Sequence, residues 1–193
     1  YNGFDESVVS HIDSAIELPG EGTFRICIAG KSAHYSRKDT ETVAASIKKS
    51  GIARRISVLQ IGEDYQTEAV FHEHRLGDIF YQLGQRPYVE TLSICAKCDV
   101  LLVNSRDNYH LSTKVFDYIA VNKPVIGVLE KGNPMDKILA RFPGYYRAKT
   151  FEELVSLLPQ IEENTPETLH EMSTDQTMEY SRRARTTKLA TYL

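Results

Sequence analysis

Five short apolar runs recur along the chain, and their spacing constrains the fold more than any other feature of the sequence. Each run is rich in β-branched or bulky residues and is bounded by Gly, Asn or Pro, which is typical of a β-strand. Several runs are apolar almost throughout, as strands are when both faces of the sheet are covered. The predicted strands are residues 24–29, 56–61, 79–83, 99–103 and 124–129.

Segments with helical periodicity separate these runs. Asp39 is predicted to cap the first helix, and Pro87 suits the first turn of the third. The predicted helices are residues 39–49, 65–76, 87–98, 113–121, 132–142 and 151–161. Parallel strands need such crossovers, and the crossovers are right-handed. The alternation therefore predicts an α/β fold, a doubly wound, parallel, Rossmann-like sheet with helices on both faces.

Three segments follow from this pattern. Residues 24–162 are predicted to form the Rossmann-like domain, residues 1–23 a lead-in or hinge, and residues 163–193 a set of C-terminal helices. One of these helices should start at Thr165-Pro166-Glu167, and a final one at Thr174 or Asp175. The final helix carries a basic face of Arg182, Arg183, Arg185 and Lys188.

Composition narrows the classes of function. The chain has 193 residues, 25% charged residues and a net charge of −3, which argues against electrostatic binding of nucleic acid. Three cysteines do not make a disulfide framework, so a reducing compartment is expected. No apolar run approaches the roughly 18–20 residues of a membrane span. Without a signal peptide or initiating Met, the sequence is expected to be part of a longer cytoplasmic polypeptide.

Ligands of open parallel sheets bind beyond the carboxyl ends of the strands. The loop after the first strand starts at Gly30 and carries the cations Lys31, Arg37 and Lys38. Side-chain cations together with helix N-terminal amides suit an anion such as a diphosphate. A solvated basic loop is the alternative interpretation.

A second loop ends in Ser112 and Thr113, either of which is predicted to cap the following helix. Free N–H groups and the helix dipole favour an anion there, and Lys114 adds a donor. Asp117 lies on the same side of the helix, where its carboxylate could accept two hydrogen bonds from a ribose. An ordinary exposed i,i+3 ion pair between Lys114 and Asp117 is the alternative.

The other motifs of the sequence do not predict a functional site. Cys95 and Cys98 form a lone CxxC inside a helix, where buried free thiols are the simpler interpretation. His72 and His74 fall on different helix faces, so no metal site is expected. The Gly-rich dinucleotide fingerprint, a Walker A loop and a G-x-S-x-G elbow are missing from the sequence.

The order of several segments resembles a known family. The stretch 84–92 leads into the strand at 99–102, then into Lys114-Val115-Phe116-Asp117-Tyr118-Ile119-Ala120 and Lys123-Pro124-Val125-Ile126-Gly127. These segments are similar to the C-terminal, donor-binding half of GT-B-fold glycosyltransferases of the large group 1 family. The opening Tyr1-Asn2-Gly3-Phe4-Asp5 resembles the family's interdomain hinge.

The resemblance implies roles for particular residues. Gly30, Lys31, Arg37, Lys38 and Lys114 fall where the family binds the donor diphosphate, with Lys31, Arg37 and Lys114 assisting its departure. Asp117 takes the place of the ribose-binding Glu, with Ser112 and Thr113 beside it, and the Gln85-Arg86-Pro87 loop corresponds to the place of the base. Tyr109 stands where many members carry a Glu that contacts the transferred sugar.

The resemblance also implies an activity: retaining, metal-independent transfer of a sugar from a nucleoside-diphosphate sugar, with no cofactor. The partners would be the donor and an N-terminal acceptor-binding half, and the complete enzyme could associate with the inner face of a membrane. A nucleotide-sugar-binding module without catalysis and a sugar-nucleotide epimerase of the same architecture are the alternatives.

Overall fold

The computed structural model describes residues 3–13, 15–163 and 173–191. A six-stranded, all-parallel sheet runs through them in the order β3-β2-β1-β4-β5-β6. In register, Ile26 of β1 lies between Val58 of β2 and Val100 of β4. The strands are β1 Phe24–Ala29, β2 Ile56–Ile61, β3 Phe80–Gly84, β4 Val100–Asn104, β5 Val125–Val128 and β6 Tyr145–Arg147. The five predicted strands are confirmed within one residue at each end, and β6 is an additional, short edge strand.

Helices cover both faces of the sheet. They are α1 Glu6–Val9, α2 Ser32–Ser50, α3 Tyr65–Glu73, α4 Tyr88–Lys97, α5 Lys114–Val121, α6 Pro134–Leu139, α7 Phe151–Glu163, α8 Thr174–Met178 and α9 Arg182–Ala190. Apolar residues of α2, α3 and α7 pack on one face, and those of α4, α5 and α6 pack on the other. The doubly wound Rossmann-like architecture is therefore confirmed. Among the described residues, no helix is long and apolar enough to cross a membrane.

The first helix departs from the prediction. Helix α2 begins at Ser32, and Ser36 interrupts it with φ −154° and ψ 99°. The Ser36 hydroxyl accepts a 3.2 Å hydrogen bond from the Asp39 amide, so Ser36 caps the second part of the helix. Asp39 is buried and pairs with Lys149 Nζ at 2.7 Å, so the prediction that it caps a helix is wrong. The polar first turn lacks the apolar periodicity that would reveal it.

Two other helix starts lie further along the chain than predicted. Pro87 precedes α4 in an extended conformation, outside the first turn. Helix α6 starts after Asn133, whose side-chain oxygen accepts a hydrogen bond from the Met135 amide. The predicted starts are therefore too early, by one residue for α4 and by two residues for α6.

Phe4 and the start of α9 meet beside the sheet. Phe4 is 1% exposed, and its carbonyl accepts a 2.9 Å hydrogen bond from the Arg182 amide. The predicted single final helix is broken into α8 and α9, because Ser181 is extended and caps α9 by accepting from the Ala184 amide. The predicted start at residues 165–167 lies outside the described residues. The hinge role of residues 1–23 and the docking of residues 163–193 on another domain stay predictions.

Candidate functional site

A hollow opens at the carboxyl ends of β1 and β2, between α4 and α5. This is the point where the chain order reverses, because β2 and β3 lie on one side of β1 and β4 to β6 on the other. Open α/β sheets bind ligands at such a switch point. The hollow has a volume of about 280 Å³ and is lined by Ala29, Gly30, Ile61, Gly62, Gln85, Arg86, Tyr88, Thr91, Leu92, Cys95, Lys114, Asp117 and Tyr118. It is referred to below as the switch-point hollow.

Gly30 and Lys114 are in direct apposition there. Gly30 has φ +96°, and a Cβ atom at this position would collide with Lys114 Nζ. Glycine therefore meets two requirements at once: it adopts a conformation that is strained for other residues, and it leaves room for the ammonium group. The carboxyl end of β1 thus has a positive charge held against its backbone.

The environment of Lys114 lowers the pKa of its ammonium group. Burial lowers the pKa of Lys114 to about 8, and the opposing attraction of Asp117 and Asp64 is too weak to restore the ordinary value. Its Nζ atom lies 4.9 Å from the centroid of the Tyr35 ring, a cation–π contact. Tyr35 in turn packs at 5.5 Å against the ring of His110. A partly buried cation of this kind gains more from an arriving anion than a solvated one does.

Asp117 faces the same hollow. Its Oδ1 atom accepts a 2.5 Å hydrogen bond from the Tyr88 hydroxyl. Burial raises the pKa of Asp117, while the Tyr88 hydroxyl, Arg182 and Lys114 act against that rise. Among the ion pairs of the described residues, none joins Lys114 to Asp117, so an ordinary i,i+3 pair is not what holds them.

The first amides of α5 differ from the expectation that they are free. The Lys114 amide donates to Ser112 Oγ at 3.4 Å, and the Phe116 amide donates to the Thr113 carbonyl at 3.0 Å. Thr113 occupies the cap position with helical dihedral angles and makes no capping hydrogen bond. Of the two predicted caps, Ser112 accepts from an amide of the first turn and Thr113 does not, so these donors are satisfied within the turn itself.

The N-terminus of α2 is likewise occupied. The Ala33 amide donates to Asp64 Oδ2 at 3.1 Å and to Thr67 Oγ1 at 2.9 Å. Lys31 lies just before this turn with its side chain exposed, outside the lining of the switch-point hollow. An acidic side chain thus sits where the sequence predicts an anion.

Arg37 lies apart from Lys114. Its guanidinium binds Glu41 at 2.8 Å and Glu73 at 2.5 Å on the exposed side of α2 and α3. These two carboxylates, Glu73 first, raise the pKa of Arg37. The expectation that Arg37 and Lys114 share one hollow is not met in this structure, because α2 begins early and turns residue 37 outward.

Lys38 lines a different, polar cavity of about 470 Å³ beyond β4 and β5. Arg106 and Lys149 share this cavity with the acidic residues Asp39, Asp107 and Glu130. Mixed charges therefore surround Lys38, and it does not line the switch-point hollow.

The loop before α4 does reach the hollow. Gln85 and Arg86 both line it, and Arg86 is held by the Leu83 carbonyl at 2.9 Å and by Glu90 at 3.1 Å. Tyr109, by contrast, is 90% exposed. Of the predicted site residues, the structure brings together Gly30, Arg86, Lys114 and Asp117.

The three cysteines are part of the hydrophobic core. All three are free and buried, and Cys27 Sγ lies 3.8 Å from Cys95 Sγ. Among the described residues, no group of three or more His, Cys, Asp or Glu side chains could hold a metal ion.

Two residues of the site were missed from sequence. Tyr88 lies in the stretch 84–92 and Tyr35 in the loop after the first strand, and sequence alone indicates no role for either. A tyrosine at the first position of a helix next to a switch-point loop is the signal that could have drawn attention to Tyr88.

The chain resembles solved structures over nearly its whole length, but its sequence identity to them is low. Over 99% of its length the chain superposes on half of sucrose-phosphate synthase from Thermosynechococcus elongatus, with a TM-score of 0.73 and 16% identity. It covers 50% of WaaG, a glycosyltransferase involved in lipopolysaccharide biosynthesis, using 96% of its own length, with a TM-score of 0.62 and 12% identity. The chain has the fold of one half of a GT-B glycosyltransferase.

The same half-fold also occurs in an epimerase. UDP-GlcNAc 2-epimerase from Methanocaldococcus jannaschii matches 98% of this chain over 50% of its own, with a TM-score of 0.57 and 12% identity. The chain thus spans about half the length of the structures it resembles. No family model and no curated protein sequence matches it.

Proposed function

We propose that this chain is the donor-binding domain of a glycosyltransferase that moves a sugar from a nucleoside-diphosphate sugar to an acceptor. One observation carries the proposal: a partly buried cation, Lys114, and a partly buried carboxylate, Asp117, line one hollow at the switch point of the sheet. The half-GT-B shape supports the same function.

In this proposal Lys114 binds the diphosphate and Asp117 accepts hydrogen bonds from the ribose hydroxyls. The base rests against the loop of Gln85 and Arg86, which borders the same hollow. Sugar transfer places negative charge on the departing diphosphate, and a fixed cation stabilises that charge more in the transition state than in the ground state. The transfer retains configuration and needs no metal.

A second, N-terminal half supplies the acceptor site. The chain covers about half of the glycosyltransferase structures it resembles, which supports a two-domain enzyme with its reaction centre in the cleft. The chain alone is therefore expected to bind nucleotide and not to turn over. In this proposal the complete enzyme acts in the cytoplasm and associates with the inner face of a membrane.

The proposal is tested by a thermal-shift and calorimetry screen with UDP, GDP and ADP at millimolar concentration. A ligand at 100 times its dissociation constant adds about 2.7 kcal/mol to stability, which such a screen detects. Lys114→Ala and Asp117→Ala should each weaken binding at least tenfold. Lys131→Ala, at an exposed position, serves as the matched control. Flat calorimetry with all three nucleotides would overturn the assignment.

An epimerase of the same half-fold is the second candidate. UDP-GlcNAc 2-epimerases from two sources share the shape of this chain. A nucleotide-sugar-binding module without catalysis is a further candidate. It is favoured by Tyr109, which is solvent-exposed and stands in place of the sugar-contacting Glu. Incubation of the two-domain protein with one nucleotide sugar and no acceptor separates them: an isomerised sugar identifies an epimerase, and transfer only on adding an acceptor identifies a transferase.

A further inference from the structure

A second, larger cavity lies between α5, α6 and α9. Its volume is about 560 Å³, within the range of ligand pockets in proteins. Apolar side chains make up most of its surface. The apolar lining consists of Leu111, Phe116, Pro134, Ile138, Tyr180 and Leu189. We call it the basic cavity, for the cations described next.

Four cations complete the lining. They are Lys137 and Arg141 from the α6 side and Arg185 and Lys188 from α9, and no acidic residue lines the cavity. Within the described part of the chain, none of the four takes part in an ion pair. Like charges converging without counter-charges repel one another, and an anion between them would relieve that repulsion.

The side chain of Arg185 is an independent observation in favour of a ligand in the basic cavity. Its Nε atom is buried and has no hydrogen-bond acceptor among the described residues. The guanidinium lies 4.8 Å above the Tyr180 ring, so its orientation is fixed by stacking. A buried donor without an acceptor is costly, and a ligand oxygen beside it would remove that cost.

The basic cavity is separate from the switch-point hollow. Phe116 lines the basic cavity, whereas Lys114 and Asp117 line the hollow, and the two linings share no residue. The basic cavity also lacks a carboxylate that could bind ribose hydroxyls. A nucleotide therefore does not explain it.

We infer that the basic cavity binds an anionic amphiphile with a single aliphatic chain. The chain lies on the apolar lining, including Leu189, which is 57% exposed. The phosphate or sulfate head group meets Arg185 and the three neighbouring cations. A concave pocket of this volume accommodates one chain, whereas the surface of a bilayer needs a flat or protruding apolar face.

The test uses n-decyl phosphate below its micelle concentration, with the 193-residue chain. Calorimetry measures affinity, and methyl NMR follows Ile138 and Leu189. Decyl maltoside carries the chain without the charge, and inorganic phosphate carries the charge without the chain. We expect decyl phosphate to bind at least tenfold more tightly than either and to shift both methyl signals.

A charge-reversed double variant, Lys137→Glu with Arg141→Glu, should weaken decyl phosphate at least tenfold. Lys49→Glu with Lys131→Glu makes the same change in net charge at exposed sites and should leave the affinity within twofold. Lys188→Glu gives a second variant if the first does not fold. Nucleotide affinity at the switch-point hollow should be unchanged in all of them.

Three results would overturn the inference. Equal binding of decyl maltoside would mean that the cavity takes any apolar chain, and equal binding of inorganic phosphate would mean that it takes any anion. Binding only to vesicles of phosphatidylcholine and phosphatidylglycerol, with none to monomeric decyl phosphate, would make the site a membrane-facing surface instead.

Discussion

The Tyr88 hydroxyl donates a 2.5 Å hydrogen bond to Asp117 Oδ1 and so ties the first residue of α4 to the first turn of α5. The two residues are 29 positions apart in sequence. They meet because α4 leads into β4 and α5 leaves it, and both helices cover the same face of the sheet. The hydrogen bond orients the carboxylate that is proposed to bind ribose.

Tyr88→Phe removes this donor and keeps the ring. Because the hydroxyl lowers the pKa of Asp117, its loss should raise that pKa further above its ordinary value. We expect the free energy of unfolding to fall by about 0.5–1.5 kcal/mol at neutral pH. Carbon-detected NMR titration measures the pKa, and urea unfolding measures the stability. Tyr65→Phe, at a tyrosine that is 71% exposed, is the control and should change neither.

Nucleotide binding should weaken as the pH rises through about 8. The pKa of Lys114 is lowered to about 8, so above this pH the unliganded protein loses the positive charge that the diphosphate needs. One linked proton allows at most a tenfold loss of affinity per pH unit. Calorimetry in buffers of different ionisation enthalpy should show proton uptake on binding at pH 8–9.

Lys114→Arg separates this effect from other titrations. Arginine stays protonated over the whole range, so the variant should bind with an affinity that changes less than twofold between pH 7 and pH 9. If the affinity of this variant still falls with pH as steeply as that of the unsubstituted protein, the pH dependence belongs to another group.

Much of the fold is predictable from sequence, because buried parallel strands are continuous apolar runs. The strand β6 is three residues long and has no such run. The start of α2 could not be predicted because its first turn is polar and Ser36 breaks it. The placement of Gly30 and Lys114 at the carboxyl ends of strands is predictable from sequence, whereas their contact and the contacts of Tyr35 and Tyr88 depend on side-chain directions that periodicity does not specify.

Arg37→Ala should leave nucleotide affinity within twofold. The guanidinium is engaged by Glu41 and Glu73 on an exposed surface, away from the switch-point hollow. Exposed ion pairs contribute about 0–1 kcal/mol, so the loss of stability should be small. The measurement is a calorimetric titration beside Lys114→Ala. A loss of tenfold or more would show that Arg37 leaves its carboxylates to reach the diphosphate, as the family resemblance implies.

Gly30→Ala should displace Lys114 and weaken nucleotide binding. A Cβ atom at residue 30 collides with Lys114 Nζ, and φ +96° adds backbone strain. The strain alone costs about 1–2 kcal/mol. Gly22→Ala is the matched control, because Gly22 also has positive φ, +72°, but a Cβ there meets nothing within 4 Å. Both variants should lose stability in urea unfolding, and only Gly30→Ala should lose affinity for the diphosphate. Equal affinities in the two variants would mean that the ammonium group moves aside without consequence, and Lys114 would then have no part in binding the diphosphate.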